Sequence, residues 1–166
     1  MRTFTRNTLL TTILSALAVT RASTVVRRDG VVVWSNHGTT EAPAQGTAIA
    51  PGEAFPFSYR EANMCKDDAV KVSSYLSREP PTATDVMPEG QLAPGSFVYH
   101  FGDWTVSNWG LPSNNPPPQT LVMPVLTDTP GPGTPMWFSV LENYAHCPPH
   151  GQSNWFGLAT TQVVYN

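Results

Sequence analysis

MWFSVLENY, residues 136–144, is the stretch that decides the fold class. Its side chains alternate between the two sides of an extended strand. Both sides carry apolar residues: Phe138, Val140 and Tyr144 on one, Trp137 and Leu141 on the other. Apolar side chains on both faces are typical of a strand at the centre of a sheet. We therefore expect a central strand here, and a second one over residues 155–165, which alternate in the same way.

On either side of this stretch, apolar residues recur with period two along the chain. After residue 28, no segment has apolar residues at helical spacing for more than two turns. The candidate strands are 31–35, 47–49, 54–59, 69–77, 96–101, 120–123, 136–144 and 155–165. Pro and Gly separate them, and eight prolines lie within residues 111–135. This pattern predicts an all-β protein: an immunoglobulin- or fibronectin-like two-sheet sandwich of seven to eight strands with long Pro-rich loops.

The first 28 residues differ from the rest and are expected to be removed. Arg2 and Arg6 precede an apolar run over residues 9–19, and small residues end at Ala22. This arrangement predicts a secretory signal peptide over 1–22, since the run is too short to span a membrane. A possible propeptide, 23–28, ends in Arg27 and Arg28, a dibasic pair in a neighbourhood expected to be unstructured. The mature chain would then start at Ser23 or at Asp29, and residues 29–166 would form one domain.

Charge narrows the classes of partner. The full chain carries a formal net charge of −3, but five of its nine basic residues lie in the first 28 positions and all twelve acidic ones lie beyond them. A secreted chain this acidic repels phosphate backbones and anionic lipids. We expect an extracellular protein that binds neither nucleic acid nor membranes.

Cys65 and Cys147 are the two cysteines. In a secreted protein an even pair predicts a disulfide, here with a structural role. Two separate buried thiols are the alternative.

Catalytic and metal-binding motifs are absent from the sequence. His146 and His150 lie four apart, but two prolines between them disfavour the helix that would align them on a metal, and His37 and His100 are isolated. Adjacent acids such as Asp67 and Asp68 are most simply solvated. We expect no catalytic residue, no metal and no cofactor.

GTAIAPGEAFPFSY, residues 46–59, resembles the opening of a group of small secreted fungal β-sandwich proteins of unassigned activity. Later strings match that group in the same order, over about residues 42–166: FG at 101, NNPPP at 114, VLENY at 140 and VVYN at 163. More distantly, the first part is similar to the immunoglobulin-like domain of the Ser-Thr-rich glycosyl-phosphatidyl-inositol-anchored fungal wall family. The resemblance implies secretion and a sandwich fold, with no catalytic residues.

Trp104 and Trp109 stand in the polar stretch GDWTVSNWG, residues 102–110, with Asp103 and Asn108 beside them. Aromatic faces next to amide and hydroxyl groups suit sugar rings. This stretch is expected to form a loop that binds a polysaccharide or glycoprotein of a cell wall. Alternatively the tryptophans are core residues. Two other functions stay open: a secreted interaction protein or effector, and a hydrolase with an unrecognised carboxylate pair.

Overall fold

The computed structural model describes residues 26–28, 30–62, 69–107, 112–144 and 155–166. In these parts of the chain the structure is all-β, with eleven strands and one 3₁₀ turn, Ala83–Asp85. The strands are β1 Val26–Arg28, β2 Val31–Trp34, β3 Thr39–Ala42, β4 Thr47–Ile49, β5 Ala54–Pro56, β6 Ser58–Arg60, β7 Ala69–Ser77, β8 Tyr99–Ser107, β9 Thr120–Val122, β10 Thr134–Asn143 and β11 Trp155–Tyr165. None of the described residues belongs to a helix long and apolar enough to cross a membrane.

One large sheet of seven strands organises the fold, in the order β1-β2-β11-β10-β7-β8. β10 is central, antiparallel to both β11 and β7. β11 is long enough to take two short parallel partners end to end, with β2 beside Trp155 and β4 beside Tyr165. The central strand predicted from residues 136–144 is therefore confirmed.

The inner face of this sheet is covered by two antiparallel pairs, β3–β6 and β5–β9. Phe55 and Phe57 alternate inward and pack edge-on against Phe138 of β10, with ring centroids 6.0 and 5.6 Å apart. Burying a side chain of this size stabilises by about 1.5–3 kcal/mol. Other buried members of this main core are Val72, Leu76, Leu121, Met136, Val140, Tyr144, Val163 and Tyr165. The two layers are consistent with a sandwich, whereas immunoglobulin-like topology stays a prediction.

The outer face is crossed by the segment 78–98, which connects β7 to β8. Thr82 donates its backbone N–H to Asp85 Oδ2 at 2.7 Å, which stabilises the 3₁₀ turn at the start of this crossing. Val86 and Leu92 then form an isolated bridge and lie in a second buried cluster with Tyr75 and Leu141 of the sheet. Both faces of the central strands are thus buried at mid-length.

Several strands differ from those predicted. Residues 54–59 divide at Phe57, whose N–H donates to the carbonyl of Gln119 at 2.8 Å, so β5 and β6 pair with different strands. β3 was not predicted, because its residues TTEA lack apolar alternation and lie exposed or half-buried. The described residues therefore contain more strands than the seven or eight expected.

The dibasic pair also differs from expectation. Arg27 and Arg28 lie in β1, paired antiparallel with Val32 and Val31 of β2. The prediction that this neighbourhood is unstructured was wrong. An Asp-Gly dipeptide between valine-rich runs favours antiparallel pairing of the residues on either side of it. Cleavage after Arg28 stays a prediction, and Ala22 lies outside the described residues.

Candidate functional site

The residues that the sequence singled out are only partly within the described structure. Asp103 and Trp104 lie in β8, whereas Asn108 and Trp109 fall outside the described residues. Cys65 and Cys147 also fall outside them.

Trp104 is part of a strand, so the prediction of a loop was wrong at this position. It pairs with Val72 of β7, and its half-buried ring contacts Phe57 at a centroid distance of 5.5 Å. Gly102 has φ +150, and a Cβ there would lie 2.8 Å from the indole. β7 supplies a strand partner over residues 102–107, which is why this polar, Gly-containing sequence is extended. Trp104 contributes its ring mainly to the core.

Asp103 points to the opposite, outer face and lines an open groove of about 310 Å³, and Trp104 is also among the residues that line it. The groove lies between the outer face of β7–β8 and residues 89–91 of the crossing segment. Most of its lining side chains form hydrogen bonds readily: Lys71, Ser73, Glu89, Gln91, Asp103, Thr105, Asn115 and Asn143. Such a surface suits a small polar ligand rather than an apolar one.

The wall of the groove formed by residues 87–91 is a closed turn. Met87 N–H donates to the Gln91 carbonyl at 2.8 Å, and Gly90 N–H donates to Met87 at 3.0 Å. Gly90 has φ +80, and a Cβ there would collide with the Asn143 amide and approach Phe156 to 3.1 Å. Glycine is required both for the turn and for this close packing. The wall is therefore fixed against the sheet before any ligand binds.

The opposite side of the groove is fixed by residues 113–115, which run along the edge of β8. Thr105 N–H donates to the Asn115 carbonyl at 2.8 Å, and Asn115 Nδ2 donates to the Asp103 carbonyl at 2.9 Å. Ser113 Oγ donates to the Thr105 carbonyl at 2.8 Å. These bonds satisfy edge groups that would otherwise be open to another strand.

Asp103 is held by two side chains on the same oxygen. Ser73 Oγ donates to Oδ1 at 2.6 Å, and His100 Nε2 lies 3.0 Å from it. The His100 ring stacks on Tyr75, with centroids 4.7 Å apart and planes 20° apart. In a hydrolytic triad the histidine lies between serine and carboxylate. Here the carboxylate lies between the other two, so the arrangement orients Asp103 instead of activating Ser73.

A second polar cluster lies inside the fold, around the fully buried Glu142 of β10. Its Oε2 accepts hydrogen bonds from Gly38 N–H at 2.9 Å and Tyr144 OH at 2.6 Å, while Oε1 accepts one from Ala62 N–H at 3.2 Å. Burial, together with the Glu142 charge, raises the pKa values of Tyr59 and Tyr144 above the ordinary tyrosine value. This carboxylate is closed off from solvent and joins segments of chain that do not pair as strands.

The histidines within the described residues are not arranged around a metal. His37 Nδ1 donates to the carbonyl of Gly38 at 2.8 Å, and His100 contacts Asp103. In the part of the chain that the structure describes, no three His, Cys, Asp or Glu side chains lie close enough to hold a metal ion. His146 and His150, as well as Asp67 and Asp68, lie outside it.

Comparison with known proteins does not assign a class to this fold and groove. No protein-family model matches the chain. A search of curated proteins also returns no match. The functional argument therefore depends on the groove and on the sequence.

Proposed function

We propose that this protein is a non-catalytic extracellular module that binds the glycans of a cell wall through the groove beside β7 and β8. The observation that carries the proposal is the lining of that groove, which consists mainly of amide, hydroxyl and charged side chains on fixed backbone. A volume of about 310 Å³ is at the lower end for small-molecule sites, so one short stretch of a glycan would be bound.

The chemistry of the lining matches that of a sugar. Each sugar hydroxyl both donates and accepts hydrogen bonds, and the amides of Gln91, Asn115 and Asn143 offer both kinds of group. Asp103 Oδ2 accepts no hydrogen bond from the described residues and is an additional acceptor. Because Oδ1 is held by Ser73, the carboxylate is oriented before binding. Preorganised groups lower the ordering cost of binding.

The charges that line the groove favour an uncharged glycan over an acidic one. Glu89 and Asp103 line the groove, and among the described residues Lys71 is the one lysine or arginine that does so. A polyanion would meet two carboxylates there and a chain of net charge −3 overall. The expected ligand class is thus a neutral polysaccharide, or the neutral glycan of a glycoprotein.

The extracellular location is part of the same proposal. It is supported by the sequence of residues 1–22, which has the charge and hydrophobic pattern of a secretory signal, and by the resemblance to small secreted fungal proteins.

The test is calorimetric titration of the secreted protein with neutral oligosaccharides from β-glucan, chitin and cellulose. Lys71→Ala combined with Gln91→Ala should weaken binding at least about tenfold, because two groove contacts are lost. Gln119→Ala is the matched control, since this exposed glutamine lies outside the groove and contacts Phe57 only through its backbone. Equal affinities for the wild type and the double variant would refute the groove as the binding site.

The same samples test for hydrolysis. Glu89 and Asp103 lie in one groove, which is the kind of placement a glycoside hydrolase requires. Reducing-end assays after prolonged incubation should show no release of sugar by the wild type. Release that is lost in Asp103→Asn would replace the binding proposal with a catalytic one.

A protein-interaction function is the second candidate, favoured by exposed hydrophobic side chains away from the groove. Val122 and Val125 are 54% and 74% exposed, and Val98 and Tyr99 at the start of β8 are also exposed. Where such side chains join into one contiguous patch, they form the kind of surface that protein partners cover. Loss of a protein partner in Val122→Ser, with glycan affinity unchanged, would support this candidate.

A further inference from the structure

Trp137 lies on the outer face of the large sheet, at the end opposite the groove. It is in register with Ser77 on one side and Gln162 on the other. The side chain is half-buried. Within the described residues, Trp137 packs against neither buried cluster and against no other aromatic ring. It therefore differs from Trp104, whose ring lies against the main core.

Uncharged residues beside Trp137, on β11 and in the turn before β4, form hydrogen bonds with one another. Gln45 Nε2 donates to Gln162 Oε1 at 3.2 Å, and Gln162 N–H donates to Gln45 Oε1 at 3.1 Å. On the neighbouring pair of positions, Ser139 Oγ and Thr160 Oγ1 are 3.3 Å apart. We call four residues, Trp137, Gln45, Gln162 and Thr160, the Trp137 strip, and the fully buried Ser139 lies beneath it. The strip lies on a sheet face and combines one aromatic ring with two amides and a hydroxyl.

We propose that the Trp137 strip is a second glycan contact, which takes the face of a neutral pyranose ring from the same polysaccharide that enters the groove. The inference rests on the proposed function for its class of ligand. A sugar ring presents apolar hydrogens on its face and hydroxyls at its rim, so the indole can stack on the face while Gln45 and Gln162 meet the rim.

Charge and hydrophobicity on the strip favour a glycan over other partners. None of its four side chains carries a charge, so neither a polyanion nor a basic peptide finds a complementary group there. A protein partner would call for a wider apolar surface. The exposed large hydrophobic side chains of the described residues, Val98, Tyr99, Val122 and Val125, lie outside the strip.

The strip and the groove are separate contacts on one face. Asn143 of the groove and Trp137 lie six positions apart on β10, which corresponds to about 20 Å along a strand. Leu141 lies between them and is covered by the crossing segment, through Val86 and Leu92. Two contacts at this separation favour a long or insoluble polysaccharide over a short oligosaccharide, because the second contact forms at a high effective concentration.

The experiment compares retention on insoluble β-1,3-glucan, chitin and cellulose particles with titration by short soluble oligosaccharides of the same polymers. Trp137→Ala should weaken retention on the preferred particle at least about tenfold and change oligosaccharide affinity in the groove by less than about twofold. Tyr99→Ala is the matched control, since it removes an aromatic ring that is exposed and lies outside the strip and the groove. It should leave both measurements unchanged.

Thr160→Arg provides a second variant that removes no packed ring. Thr160 is exposed, so a long cationic side chain is expected to cover the strip while the melting temperature stays close to that of the wild type. It should reduce particle retention as Trp137→Ala does. Unchanged retention in Thr160→Arg would overturn the strip even if Trp137→Ala fails to fold.

The outcomes separate this inference from the proposed function. If Lys71→Ala with Gln91→Ala abolishes binding and both strip variants bind normally, the strip is overturned and the groove stands. If the strip variants lose retention and the groove variant does not, the groove is overturned and the strip stands. If the wild type binds none of these polysaccharides in either format, both are overturned.

Discussion

Trp104→Ala is expected to destabilise the fold, because this ring belongs to the packing between the two layers. The indole contacts Phe57 at 5.5 Å and lies against the main core, and Gly102 beside it leaves room for the ring. Truncation of a fully buried Trp costs about 3–5 kcal/mol. Because Trp104 is only half-buried, we expect a loss of about 2 kcal/mol in the free energy of unfolding.

Thermal and urea unfolding of the secreted protein measure this loss. For a domain of this size, 2 kcal/mol corresponds to a fall in the melting temperature of about 5–10 °C. Val125→Ala is the control, since Val125 is 74% exposed and should change the melting temperature by less than about 2 °C.

The result that would refute the reasoning has two parts. If Trp104→Ala melts with the wild type and loses affinity for neutral oligosaccharides, the ring is a binding platform and its contact with Phe57 contributes little. If it melts early and the folded fraction still binds at 25 °C, Trp104 is structural and the groove supplies the affinity.

Three further predictions concern the interior and the cysteines. Glu142→Gln should lower the free energy of unfolding by about 2–4 kcal/mol in urea titrations, since an amide accepts fewer hydrogen bonds than the carboxylate does, and an unchanged midpoint would contradict this role. The free energy of unfolding should fall as the pH rises above about 10. The pKa values of Tyr59 and Tyr144 are raised in the folded protein, so the unfolded chain releases these protons first. Circular dichroism against pH measures this loss of stability, and a flat profile to pH 11 would contradict the prediction. Cys65 and Cys147 should be bridged, with an intact mass two hydrogens below that of the reduced protein, whereas free thiols in the denatured, unreduced sample would show that they are not.

β7 and β10 of the large sheet could be predicted because their burial has period two. In β10 and β7, alternate residues meet the inner core and the outer cluster, so both faces appear in the sequence as apolar positions. Thr39–Ala42 could not be found in this way, because it is held by pairing with β6 and buries little. A strand that is held by pairing with a partner, and has no alternation of apolar residues of its own, is not detected from the periodicity of the sequence.

The groove could not be predicted, because its residues come from distant parts of the chain. Lys71, Glu89, Asp103 and Asn143 are brought together by the pairing of β7 with β8 and β10 and by the packing of Gly90 on Asn143. Asp103 was singled out only through its place beside Trp104. The sequence also does not distinguish a tryptophan of the core from one outside it. Trp104 packs on the main core and Trp137 does not, although Trp137 was assigned only to a strand and Trp104 to a site.

The alternating pattern of β10 does not explain why a carboxylate, Glu142, lies at an inward position. Glu142 alternates with Phe138 and Val140 on the inner face, where a carboxylate is costly unless its oxygens are satisfied. At this end of the sheet, Gly38 and Ala62 lie outside the strands, and each donates its N–H to Glu142. Buried N–H groups without partners would cost about 1–3 kcal/mol each. The carboxylate accepts these two hydrogen bonds, which strand pairing does not supply at this place. A bound water could satisfy one such group, but a single side chain that satisfies two also sets where the segments after β2 and after β6 lie relative to β10.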